Sequence, residues 1–189
     1  MAEKRFSNAA GFDDAPFSRD HMGNVKIVGT VYAGLRFDGV LMGEVEKDGF
    51  DSAARLIALI SGSRFAEHIQ LILLQGVAFA GFNVVDVFAL HDQLRLPVMV
   101  VARRPPDMAS IKKALLSQIH RGKEKWAVIE RLGNMEPVSG VFVQRVGISL
   151  EQTAAVLNRF AVHGRMPEPL RTAHLIAGAL VHGQSRGRV

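Results

Sequence analysis

The chain has 189 residues, 48% of them hydrophobic and 22% charged, with a mean hydropathy of +0.15. That is enough chain for one α/β domain with a sizeable core, and the absence of cysteine excludes disulfides, thiolate metal sites and cysteine nucleophiles. A net charge of +5 and a pI of about 10.0 favour a polyanionic partner, nucleic acid first, without requiring one.

The start, Met1-Ala2-Glu3-Lys4-Arg5, is charged and has no apolar signal region, so a cytoplasmic protein is expected. A single domain spanning residues 1–189 is expected, with 1–8 and 183–189 frayed. Ala9–Asp13 reads as a short first strand ending in Asp13-Asp14-Ala15-Pro16-Phe17. Val25–Ala33 and Phe37–Val45 read as an antiparallel pair joined at Gly34. Lys47-Asp48-Gly49-Phe50-Asp51 is a turn into a helix that carries Ala53, Leu56, Ile57 and Ile60 on one face and ends at Gly62. Ile69–Leu74 is short, apolar and branched, as a strand buried on both faces must be. Gly76 and Gly81 bracket a loop, Val84, Val87 and Phe88 begin a helical stripe, and Pro97 opens a second buried strand to Ala102. Strand, loop, helix, strand makes a βαβ unit, whose ligands belong beyond the carboxyl ends of its strands.

The segment Ile69–Val85 lacks charge, but Gln75, two glycines and Asn83 keep it short of a spanning helix, so no membrane partner is expected. Pro105-Pro106-Asp107 caps a helix with Met108, Ile111 and Leu115 inward. Lys123–Leu132 is helical around Trp126 and Ile129. Lys112, Lys113, Arg121, Lys123 and Lys125 are expected to form a basic surface. Gly140–Val146 is one more strand, and Ser149-Leu150-Glu151-Gln152 is a capping box opening a helix to about Ala161. A last helix carries Leu170, Ala173, His174, Ala177 and Val181 on one face. A three-strand meander, then parallel βαβ units, then C-terminal helices is the mixed sheet of a ribonuclease H-like α/β fold.

Metal-assisted phosphodiester cleavage needs hard oxygen ligands brought to one sheet edge from different elements. Asp13 or Asp14 is one source, and Asp48 or Asp51 a second. A third belongs at the end of the Leu71–Gln75 strand, where the chain has the neutral Gln75. His174 could add a nitrogen ligand or a proton. Each has a plainer reading: Asp51 as an N-cap, Asp48-Gly49 as a turn, Asn83 or Asp86 as helix caps, and His174 as a core histidine.

Several of these segments resemble the archaeal family labelled endonuclease dU: Asp13–Phe17, Asp38-Gly39-Val40-Leu41, Asp48–Asp51, Gly81-Phe82-Asn83-Val84-Val85-Asp86 and Arg104-Pro105-Pro106-Asp107. The likeness runs from about Gly11 to Leu180. A more distant one reaches endonuclease V, a Mg²⁺-dependent nuclease of deaminated bases. Gly11-Phe12-Asp13 resembles its metal-binding Gly-x-Asp, and Arg103 falls where a substrate-side lysine sits. Arg165–His174 resembles its Arg-Leu-Pro-Glu-Pro-Thr-Arg-x-Ala-Asp/His, with His174 at the metal-side position. Gln75 replaces an aspartate of that family, and no Pro-Tyr wedge follows the early strands. The family glutamate before the first helix has Glu44, Glu46, Asp48 and Asp51 as rivals, with Asp48 preferred.

The resemblance implies a Mg²⁺- or Mn²⁺-dependent endonuclease of DNA containing deoxyuridine or a similar base. Asp13, Asp48 and His174 are its expected metal site, with Asp14 and Gln75 completing the catalytic set. Gly76, Gly81, Phe82, Asn83, Arg103, Arg104 and Arg171 are expected on the substrate. The alternatives are a non-catalytic nucleic-acid-binding protein on a degenerate nuclease fold and a metal-dependent hydrolase of a small phosphorylated compound.

Overall fold

A computed structural model of the chain describes residues 5–185. Strands β1 (Asn8–Asp14), β2 (Asn24–Ala33) and β3 (Arg36–Glu46) form an antiparallel meander. Helix α1 (Ser52–Ser61) follows. Strand β4 (Leu71–Gln75) then pairs parallel to β1, with Phe12 opposite Leu74. A small hairpin, β5 (Ala78–Phe79) and β6 (Asn83–Val84), leads into α2 (Val87–Leu94). Strand β7 (Val98–Ala102) lies parallel to β4, completing the expected βαβ unit. Helices α3 (Met108–Gln118) and α4 (Gly122–Leu132) precede the hairpin of β8 (Glu136–Val138) and β9 (Val141–Val146). Strand β9 closes antiparallel on β7, and α5 (Leu150–Phe160) and α6 (Glu168–His182) end the chain. The seven-stranded sheet runs β3-β2-β1-β4-β7-β9-β8.

The central strands are apolar throughout because both their faces are covered. Ile72 and Leu74 pack with Leu56, Ile60 and Leu90 of α1 and α2. Leu71 and Leu73 pack on the other face with Val156, Leu157 and Phe160 of α5 and Leu170 of α6. The predicted caps are formed: Asp107 accepts from the Ser110 N–H at 3.1 Å, and Ser149 and Gln152 make the reciprocal capping box.

Three expectations are corrected and one strand is added. Asn8 belongs to β1, Phe6 is buried, and the Ser7 N–H donates to Gln70 Oε1 at 2.9 Å, so residues 6–8 are held rather than frayed; the rest of that expectation on residues 1–4 and 186–189 lies outside the described residues. Strand β8 was not foreseen, because three residues including Pro137 have no alternation and become a strand only by pairing at the sheet edge. Val181 lies on the exposed side of α6. Lys125 is not part of the basic surface: it is 1% exposed, under the loop before α1. Among the described residues, no helix is long and apolar enough to cross a membrane.

Candidate active site

Strands β1, β4 and β7 are parallel, so Asp13 and Asp14, Gln75, and Arg103 all fall at one edge of the sheet. Helix α6 crosses that edge closely because the residues beneath it are small. A Cβ on Gly11 would lie 2.6 Å from the carbonyl carbon of Pro169, and Ala173 and Ala177 rest on Ala15 and Val28. Two polar links set the helix in register: the Thr30 hydroxyl donates to the Pro169 carbonyl at 2.6 Å, and the Tyr32 and Thr172 hydroxyls meet at 2.7 Å.

This seating puts His174 over Asp13, with Nδ1 2.8 Å from Asp13 Oδ2. Asp13 is 5% exposed, and its other oxygen accepts from the Asp14 N–H at 3.0 Å. The hydrogen bond to Asp13 raises the His174 pKa, outweighing the opposing effect of burial. Nδ1 is therefore the donor in this pair. Gln75 Nε2 stands 3.4 Å from the same nitrogen, too far and with no free lone pair to accept from it. Gln75 Oε1 is buried and has no partner among the described residues.

Asp14 points to the other face, as the next residue of a strand must. Its Oδ2 accepts from the Ala80 N–H of the β5–β6 tip at 2.8 Å. Burial, and then the neighbouring Asp13 charge, push its pKa up to about 6. Asp48 lies across the same tip. Its Oδ1 accepts from the Phe82 N–H at 2.8 Å, and its N–H donates to the Ala80 carbonyl at 2.9 Å. Gly81 has φ +86, and a Cβ there would lie 2.4 Å from Asp48 Oδ1, so a larger residue would be strained and would press on this carboxylate. The Asp48 carbonyl in turn accepts from Lys125 Nζ at 2.6 Å, and burial lowers the pKa of that ammonium.

The expected set of Asp13, Asp48 and His174 is therefore not gathered in this structure. Asp48 turns its carboxylate onto the hairpin backbone, and among the described residues no three His, Asp or Glu side chains form a group able to hold a metal ion. Asp13, His174 and Gln75 are together; Asp14 adjoins them from the opposite face. A cleft of about 270 Å³ beside them is lined by Gln75, Ala102, Arg103, Met166 and His174. Arg103 and Arg104 are exposed at its rim side of β7, and Gly76, with φ +83, turns the chain away from β4.

The structure gives three other predicted substrate residues internal work. Asn83 is fully buried; its Oδ1 accepts from the Ser52 N–H at 3.1 Å, and its Nδ2 donates to Glu46 O and Asp51 Oδ1 at 2.7 Å each. It thus caps α1 from a distance, while Asp51, for which a cap was the plainer reading, makes no side-chain cap bond. Phe82 packs in the cluster of Val84, Leu115 and Ile129. Arg171 pairs with the buried Glu168, Nε lying 2.9 Å from both carboxylate oxygens. Lys125 is also placed differently from the sequence expectation. The one available signal was its position in the helix, four before Ile129, on the apolar side.

The chain is similar to known proteins over nearly its whole length. The family model described as Endonuclease dU matches residues 5–181. A UPF0215 protein of Deinococcus radiodurans is 50% identical over 187 residues, covering 99% of this chain and 95% of its own. A UPF0215 protein of Methanothermobacter thermautotrophicus is 40% identical over 181 residues, with 94% and 89% covered. The crystal structure of a protein of unknown function from Archaeoglobus fulgidus matches with a TM-score of 0.86 at 31% identity, over 93% of this chain and 99% of that one. Endonuclease V of Ciona intestinalis, solved with a 24mer DNA containing an inosine followed by a ribo-adenosine, matches with a TM-score of 0.60 at 14% identity, over 94% and 87%. At that identity the likeness is one of fold, and the ribonuclease H-like sheet is common to both. By the match of its sequence, the chain belongs to the Endonuclease dU family.

Proposed function

We propose that the protein is an endonuclease that uses Mg²⁺ or Mn²⁺ to cut DNA beside a deaminated base, deoxyuridine first. The observation that carries this reading is the contact between Asp13 and His174, 161 residues apart, at the sheet edge where β1, β4 and β7 end. Family membership and the endonuclease V fold support the nuclease class.

The residues present fit a divalent cation. Mg²⁺ takes oxygen donors, and the edge offers Asp13, Asp14 and Gln75 Oε1, a buried oxygen otherwise unpaired. Burial, and then the neighbouring Asp13 charge, raise the Asp14 pKa, and a bound cation would favour the ionised carboxylate. When bound, such an ion polarises the phosphate and lowers the pKa of a water. His174 lines the cleft with Nδ1 committed to Asp13, which leaves Nε2 to hold a proton or pass it to the departing oxygen. The hydrogen bond to Asp13 raises its pKa and so favours the protonated ring. Arg103 and Arg104 hold the phosphate, and exposed Lys112, Lys113 and Lys123 follow the backbone. Asp48 supports the hairpin that carries the Asp14 contact rather than ligating the ion.

The test is cleavage of a uracil-containing duplex in Mg²⁺ and in Mn²⁺ by the wild type and Asp13→Ala. Loss of roughly 1000-fold in rate is expected, since the ligand is asked for about 4 kcal/mol. Equal cutting by both proteins rejects the site. A second reading is favoured by the neutral Gln75 and the lack of a three-group metal cluster among the described residues: a binding protein without turnover. It requires salt-dependent DNA binding with no cleavage in either metal.

A further inference from the structure

Lys125 is a buried charge with no part in the chemistry above. It lies on α4, 1% exposed, and donates to the Asp48 carbonyl at 2.6 Å. Burying an ammonium is costly, and an apolar side chain of similar length would pack there without that cost. Asp48 itself has φ +53, a left-handed conformation uncommon outside glycine. From Asp48 the hydrogen bonds continue: its Oδ1 takes the Phe82 N–H, its N–H goes to the Ala80 carbonyl, and the Ala80 N–H goes to Asp14 Oδ2. An unbroken chain of bonds therefore joins α4 to the end of β1, through a turn and a hairpin tip that Gly81 allows to close.

We propose that Lys125 is a positioning residue for Asp14. It locks the turn at Asp48, and through residues 80–82 it fixes the Asp14 carboxylate where the cation site needs it. The inference rests on the cation site proposed above, and it assigns Lys125 an effect on an aspartate it does not touch.

The experiment compares full-length Lys125→Met, Asp14→Asn, their double variant and Gly81→Ala. Mn²⁺ affinity is measured by calorimetry, and amide exchange at Ala80 and Phe82 is measured without metal. Lys125→Met relieves the burial of an ammonium but leaves the Asp48 carbonyl without its donor, so it is expected to unfold cooperatively at a temperature close to or somewhat below the wild type's. It should nevertheless weaken Mn²⁺ binding about tenfold, the scale of a residue acting through a ligand, and speed exchange at both amides about tenfold. In the Asp14→Asn background the same change should cost no further affinity. Wild-type exchange and Mn²⁺ affinity in Lys125→Met, or an equal loss in both backgrounds, overturns the proposal. Should Lys125→Met not fold, Gly81→Ala pushes on the Asp48 carboxylate from the loop side and must give the same pattern; wild-type behaviour there also overturns it. If the wild type binds no Mn²⁺, the cation reading fails by itself. Amide exchange then decides on Lys125 alone, with unchanged rates refuting its hold on the tip.

Discussion

Asp13 and Asp14 are neighbours in one strand, yet the two faces of β1 treat them in opposite ways. On the α6 face, Asp13 meets the ring of a histidine carried by a helix that is pinned to the sheet by Thr30 and Tyr32. On the other face, Asp14 accepts from a backbone N–H at the tip of a two-stranded hairpin. Asp13 gains a donor that its charge makes stronger. Asp14 is half-buried beside a like charge, so its ionised form is held at a cost. One face is built for order and the other holds electrostatic strain, which the proposed cation would release.

The largest effect should come from breaking the ordered face. His174→Ala removes the proposed proton carrier, and the proposed cleavage should fall about 100-fold or more. Asp13→Asn in turn should return the His174 pKa toward 6.5, read by NMR titration of the ring. The folded pKa of His174 is raised, so the pair stabilises the fold below the unfolded value and that support fades as pH rises through the folded value. Asp13→Asn should therefore destabilise more at pH 5 than at pH 9; an equal loss at both would deny the charge pairing.

The strained face should respond with the opposite sign. The Asp14 pKa rises from 3.8 to about 6, so the folded state loses stability as pH climbs through that window. Asp14→Asn keeps an acceptor for the Ala80 N–H and removes the charge. It should raise stability above pH 6 by up to about 3 kcal/mol, at 1.36 kcal/mol per pKa unit, and change little below pH 4. The same variant should bind Mn²⁺ more weakly, a trade of function against stability. Denaturant unfolding at pH 4 and pH 7.5 checks the sign, and a destabilised variant at pH 7.5 would remove the claim of strain.

The smallest effect concerns the pinning of α6. Thr30→Val leaves the buried Pro169 carbonyl without its donor and should cost about 1–3 kcal/mol. Its sharper readout is positional. If Thr30 helps set the helix, the His174 pKa should move toward 6.5 although Thr30 does not touch the ring. An unmoved pKa would mean that packing of Ala173 and Ala177 alone holds the register.

Much of this architecture is written in short-range pattern. The buried run Leu71–Leu74, the meander strands, the Ser149–Gln152 capping box and the Asp107 cap all follow from periodicity and local hydrogen bonding, and each was readable before any coordinates. The approach of Asp13 and His174 was readable only through family resemblance, since a lone histidine on an apolar helix face carries no signal of its partner. The tertiary structure alone decided the rest. Whether Asp48 faces an ion or a backbone N–H, whether Asn83 touches a ligand or caps a helix 31 residues away, and whether Lys125 is solvated or buried all depend on contacts between segments remote in sequence. Local propensity is blind to such contacts: a side chain's donors and acceptors are fixed by its type, but the groups they meet are chosen by packing.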